Sequence, residues 1–175
     1  MLKLMKILRL FLFVVVTVYL SKCQKADSVK DLKVDNIEFT YTSGLRIPYN
    51  KVKVNIFRTR DNQNAVAIIH CEPSSTEAKW AYSKIDTVVD IDIESFEKLN
   101  KAAISLENIN LDKAFLEGHD GSMWKIEFGS KGKNVSYNFW SPLSNSKERG
   151  LTEFVNLSKQ ILDKVKLNKA EIIEK

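Results

Sequence analysis

Between Asp120 and Leu167 the apolar pattern changes period with hardly a pause, and few architectures accommodate that. Residues from Ser122 to Phe128 alternate, with Trp124, Ile126 and Phe128 on one side and Met123, Lys125 and Glu127 on the other. That is the period of a half-buried strand. His119-Asp120-Gly121 ahead of it is a turn signal, and Gly129-Ser130-Lys131-Gly132 predicts a four-residue hairpin loop. The alternation resumes from Asn134 to Trp140, where Val135, Tyr137 and Phe139 oppose Asn134, Ser136, Asn138 and Trp140. Pro142 cannot donate to a ladder and should end the strand. A helical period follows. Asn145 and Glu148 fit a capping box, and Leu151, Phe154, Val155, Ser158, Ile161, Leu162 and Val165 form one stripe. The aromatic hairpin face is the nearest surface on which that stripe can be buried.

The preceding chain supplies more strands. Ile37, Phe39 and Tyr41 alternate with Glu38, Thr40 and Thr42, and Val52, Val54 and Ile56 alternate with Lys51, Lys53 and Asn55. Ala65 to Cys71 is more apolar than either, which predicts a central strand. Ile85 to Ile93 alternates with Asp86, Asp90 and Asp92 on an acidic side. A helix should start near Asp92–Ser95 and run to about Leu106 on a stripe of Phe96, Leu99, Ala103 and Leu106, with mostly loop from Glu107 to Gly118. The order β-β-β-β-α-β-β-α predicts an α+β fold: two layers, a mainly antiparallel sheet of about six strands, and two helices on one face.

The chain has 175 residues and a formal net charge of +5. The excess is local. Lys3, Lys6, Arg9 and Lys22 precede Cys23 with no acid among them, and without them 23 basic residues face 22 acidic ones. The electrostatic footprint of a nucleic-acid binder is missing from that remainder, so no nucleic acid is expected as a partner. Lys3, Lys6 and Arg9 form a positive segment ahead of the apolar run Leu10 to Leu20, broken only by Thr17. Eleven residues fall short of the roughly 20 needed to cross a bilayer, and the arrangement is that of a secretory signal. Leu20-Ser21-Lys22-Cys23 resembles a bacterial lipobox in Leu20, Ser21 and Cys23, although Lys22 stands where a small residue is the rule. The resemblance implies lipid attachment at Cys23, a membrane as partner, and a position on the periplasmic or outer side of the cell envelope. The expected divisions are 1–22 signal peptide, 23–35 flexible tether, 36–167 a single globular domain and 168–175 a charged tail. Cys71 is then the one thiol left, expected as a buried small hydrophobe.

Chemistry-bearing groups are sparse. His70-Cys71 would point to opposite faces of a strand. Asp90, Asp92 and Glu94 could attract a hard cation, but no calcium loop follows, and a solvated strand leading into a helix start explains them. His70 and His119 lack zinc-ligand spacing, and His119-Asp120 is accounted for by its turn. Asn134-Val135-Ser136 and Asn156-Leu157-Ser158 fit the glycosylation pattern but fall inside expected regular structure. No phosphate loop, dinucleotide fingerprint or Gly-x-Ser-x-Gly elbow occurs, and no cofactor or metal site is expected. The aromatic residues are the better lead. Trp80, Trp124, Tyr137 and Trp140 are candidates for a partner surface, because exposed aromatics mark interfaces.

The order Asp120-Gly121, Trp124, Tyr137, Trp140-Ser141-Pro142, Leu151, Phe154, Ile161 resembles the carboxyl half of small bacterial envelope proteins, many of them lipoproteins. It covers about a quarter of the chain and implies no activity. The functional expectation is an exported, lipid-anchored protein that binds an unknown protein or small ligand or plays a structural part. An exported hydrolase built on His119, Asp120 or Cys71, and an immunity or inhibitor protein, are the alternatives.

Overall fold

A computed structural model describes residues 29–44, 46–130 and 132–174; the expected signal, the lipobox with Cys23 and most of the tether lie outside them. The chain divides into two units, Met1–Asp31 and Leu32–Lys175, and the second carries the fold. Six strands form one antiparallel sheet: β1 Asn36–Ser43, β2 Tyr49–Arg58, β3 Asn64–Pro73, β4 Ile85–Asp92, β5 Ser122–Ser130 and β6 Lys133–Trp140. Their order across the sheet is β4-β3-β2-β1-β5-β6. The α+β, two-layer expectation is met, with two long helices, α1 (Ile93–Ser105) and α3 (Thr152–Lys164), packed on one face. Single turns of helix at α2 (Leu111–Ala114) and α4 (Lys169–Ile172) complete the elements used below.

The alternation read from the sequence decides which face is buried. Ile37, Phe39 and Tyr41 of β1, Val52, Val54 and Ile56 of β2, and Trp124, Ile126 and Phe128 of β5 are all sealed beneath the helices. Trp124 lies edge-on to Phe39 and Tyr41, with centroids 6.3 and 6.4 Å away, and its indole N–H donates to Ser122 Oγ at 2.8 Å. From the helix side, Phe96, Leu99, Ala103 and Leu106 of α1 and Phe154, Leu157, Ile161 and Leu162 of α3 meet this surface. Phe154 stands perpendicular to Phe139, 4.9 Å away, which is the expected hairpin-to-helix contact. Asp92 caps α1 by accepting from Ser95 N at 2.7 Å.

Several expectations need correction. The second long helix does not start at Asn145. Residues 145–149 make one turn, closed by Gly150 at φ 71°, with Leu151 N donating to Ser146 O at 2.7 Å and Gly150 N to Lys147 O at 3.2 Å. This is a Schellman stop, so α3 begins afresh at Thr152. The hairpin loop is shorter than expected, since Ser130 already pairs with Lys133. β3 is next to the edge, with β1 and β2 central. The last residues of the expected tether belong to the domain. Val34 is buried, and Asp35 takes a backbone bond from Arg58 N and donates one to Gly129 O, both at 2.9 Å. The charged tail also docks: Ile172 and Ile173 are fully buried, and Lys159 pairs with Glu174 at 2.7 Å.

Candidate functional site

The four aromatics expected to share a surface do not. Trp124 (1% exposed) and Tyr137 are core residues on the inner face, where Tyr137 stacks on Phe128 at 6.2 Å. Trp80 sits in a 3-10 turn, Ala78–Ser83, beside Tyr82 at 6.3 Å. Trp140 lines a cleft. The earlier alternation put Trp140 on the face opposite Tyr137 and Phe139, and β6 does so; what lies over it was not legible.

The cavity is a cleft of about 660 Å³. Its floor is Met123, Asn138 and Trp140, all on the sheet face away from the helices, with Met123 directly opposite Trp140 in the β5–β6 register. Its wall is the segment Phe115–His119 that follows α2. Phe139, whose side chain points to the other face, also lines it. β5 pairs with one margin of β6, and no strand pairs with the other.

Two glycines and one arginine hold wall to floor. A Cβ on Gly118 would come within 2.3 Å of the Trp140 ring, and one on Gly121 within 2.5 Å of the same ring and 2.3 Å of Ser141 Oγ. The loop therefore rests directly on the indole, and only glycine permits that approach. Arg149 (6% exposed) spends all five N–H groups on backbone carbonyls. Nε and Nη2 donate to Ala114 O at 3.0 and 2.8 Å, Nη2 also to Trp140 O at 3.1 Å, and Nη1 to Ser141 O and Ser144 O at 2.9 and 3.1 Å. The end of α2, from which the wall springs, is thus pinned to the end of β6. Burial pushes the guanidinium below its usual range. Sequence reasoning missed Arg149 altogether, since a lone arginine before a glycine carries no pattern.

The wall is apolar and exposed, with Phe115 67% accessible, and its polar members are Glu117 and His119. Asp120 follows on the same loop. Neither Glu117 nor Asp120 has an ion-pair partner among the described residues.

The other candidates disperse. Cys71 is buried on the inner face of β3, and burial pushes its thiol up to about 12. His70 is on the outer face, 3.3 Å from Glu72 and 4.0 Å from Asp86. His119 lies at the opposite end of the sheet from both, with β2, β1 and β5 intervening. Asp92 is occupied as a helix cap, which holds its carboxyl below the usual range through the Ser95 hydroxyl and amide, and Glu94 pairs with Lys98 at 2.8 Å. Among the described residues no group of three or more His, Cys, Asp or Glu is placed to hold a metal. No described helix is long and apolar enough to cross a membrane. No protein-family model and no curated protein matches the chain.

Proposed function

We propose that this is an exported, lipid-tethered envelope protein whose domain binds a ligand in the Trp140 cleft without transforming it. The observation that carries the binding reading is a preformed cavity of about 660 Å³ with apolar walls and a few polar groups, held open by a fully satisfied arginine. That size and lining are those of ligand sites in general. Export and tethering rest on the positive segment, the apolar run and Cys23. Cys71, the one free and buried thiol among the described residues, is compatible with a domain that relies on its core in place of disulfides.

Two measurements test the two halves. Mass spectrometry of the mature amino terminus should recover acylated Cys23; a chain retained unprocessed in the soluble fraction defeats the tether. For the cleft, the three tryptophans are replaced biosynthetically by 5-fluorotryptophan, and Trp140→Phe assigns the Trp140 resonance. A screen of short peptides, sugars and amphiphiles should move that resonance while Trp124 stays still. If no compound moves Trp140 more than Trp124, the cleft is not a binding site.

A further inference from the structure

The two margins of the sheet differ in a way that bears on what the cleft takes. An unpaired strand margin exposes a row of N–H and C=O groups, and proteins commonly guard it with inward or flanking charge. β4 is guarded, carrying Asp86, Asp90 and Asp92. β6 carries a charge only at its first residue, Lys133, and none from Asn134 to Trp140. Its outer-face side chains below Trp140 are Asn138, Ser136 and Asn134, all short, uncharged and exposed. The cleft abuts β6 at Asn138, Phe139 and Trp140. Arg149 already takes the Trp140 carbonyl at that end, so the unpaired stretch of the margin runs from Asn134 to Asn138.

Building on the binding reading above, we infer that the ligand is an extended polypeptide segment that adds a strand to the free margin of β6. It places one apolar side chain between Phe115 and Met123, with a lysine or arginine within two residues of it. Strand addition explains the bare margin, since the backbone of the incoming segment satisfies the unpaired groups and alternate side chains supply selectivity. Side chains of an added strand alternate, so those sharing the Trp140 face enter the cleft. The apolar anchor follows from the exposed Phe115, Leu116 and Met123. The cation follows from Glu117 on the wall and Asp120 just beyond it on the same loop, two exposed carboxylates with no ion-pair partner among the described residues. An acidic segment would meet repulsion there.

The test uses the full chain in detergent micelles and a synthetic set of eight-residue, end-blocked peptides. Threonine alternates with a variable position; one central variable position is Leu, Phe or Val, and its neighbour is Lys, Gln or Glu. Amide hydrogen exchange is followed along β6. Lysine members should slow exchange from Asn134 to Asn138 and bind about tenfold more tightly at low salt than glutamate members. The double variant Glu117→Gln, Asp120→Asn should erase that preference, and both sites are exposed, so the fold is not at stake. N-methylation of alternate peptide amides should abolish binding. Absence of β6 protection across the whole set, indifference to N-methylation, or equal affinity for lysine and glutamate members overturns the inference. So does β6 protection that rises with protein concentration in the absence of peptide, which would assign the margin to a second copy. A sugar or amphiphile that moves the Trp140 resonance while no peptide protects β6 defeats strand addition and leaves the binding reading standing. A motionless Trp140 defeats both.

Discussion

Lys166 ends α3 at φ 58°, the left-handed region that glycine enters freely and other residues enter at a cost of about 1 kcal/mol. The bonds Lys166 N to Asp163 O at 3.1 Å and Leu167 N to Leu162 O at 3.0 Å show why the position is held: it closes the helix as Gly150 closes the turn before it. Lys166→Gly should therefore stabilise the protein by about 1 kcal/mol, read as a higher Tm with unchanged hydrogen exchange at β6. Cys71 makes a second prediction. Its thiol, near 9.0 in the unfolded chain, is pushed up to about 12 by burial. The folded state holds that proton between these values while the unfolded state releases it. Its contribution to stability is present below pH 9 and falls as pH rises toward 12, by at most about 1.4 kcal/mol per pH unit. Denaturant titrations of the wild type and Cys71→Val across that window should diverge, the variant losing less. Residue-scale facts of this kind were unevenly legible. The burial of Cys71 followed from its place in an apolar strand. The left-handed Lys166 did not, because lysine signals nothing about φ.

At the scale of elements, the contact between α3 and the β5–β6 hairpin was read correctly from two periodicities, and it is open to measurement. Phe139 and Phe154 meet edge to face at 4.9 Å. A double-mutant cycle with Phe139→Leu and Phe154→Leu should give a coupling energy of about 1 kcal/mol, and a value near zero would mean that the rings only fill space. The start of α3 was misread for a physical reason. Asn145 and Glu148 satisfy the local capping pattern, yet Gly150 stops the turn they begin, and the tertiary demand on Arg149 fixes where that stop falls. β3 shows the opposite limit. Its apolar run predicted a central strand, whereas β3 lies next to the edge strand β4, and Val66 and Ile68 face outward. Strand composition alone does not distinguish a covered second face from a bare one.

For the molecule as a whole, the inner face is sealed by α1 and α3 while the outer face is open and unequal. Its middle is a lattice of exchanged charges, with Lys53 2.9 Å from Glu38 and Lys125 3.0 Å from Glu127. Toward β4 it becomes apolar: Ile68 and Val88 are paired across β3 and β4 and are 42% and 60% exposed. Ile68→Thr with Val88→Thr should change stability little, by about 0.5 kcal/mol or less at each site, and should reduce binding of a hydrophobic dye. The cleft was half legible at this scale. Trp140 was a candidate from its position in the alternation, but its wall comes from a stretch without pattern, brought to it by chain closure over about 20 residues. The pin that secures that wall has a bearing on solution behaviour. A guanidinium keeps its proton in proteins, and the peptide oxygens that receive Arg149 neither ionise nor attract counterions. The scaffold around Trp140 should thus be deaf to acid and electrolyte, keeping its shape under conditions that would loosen a frame built from ion pairs.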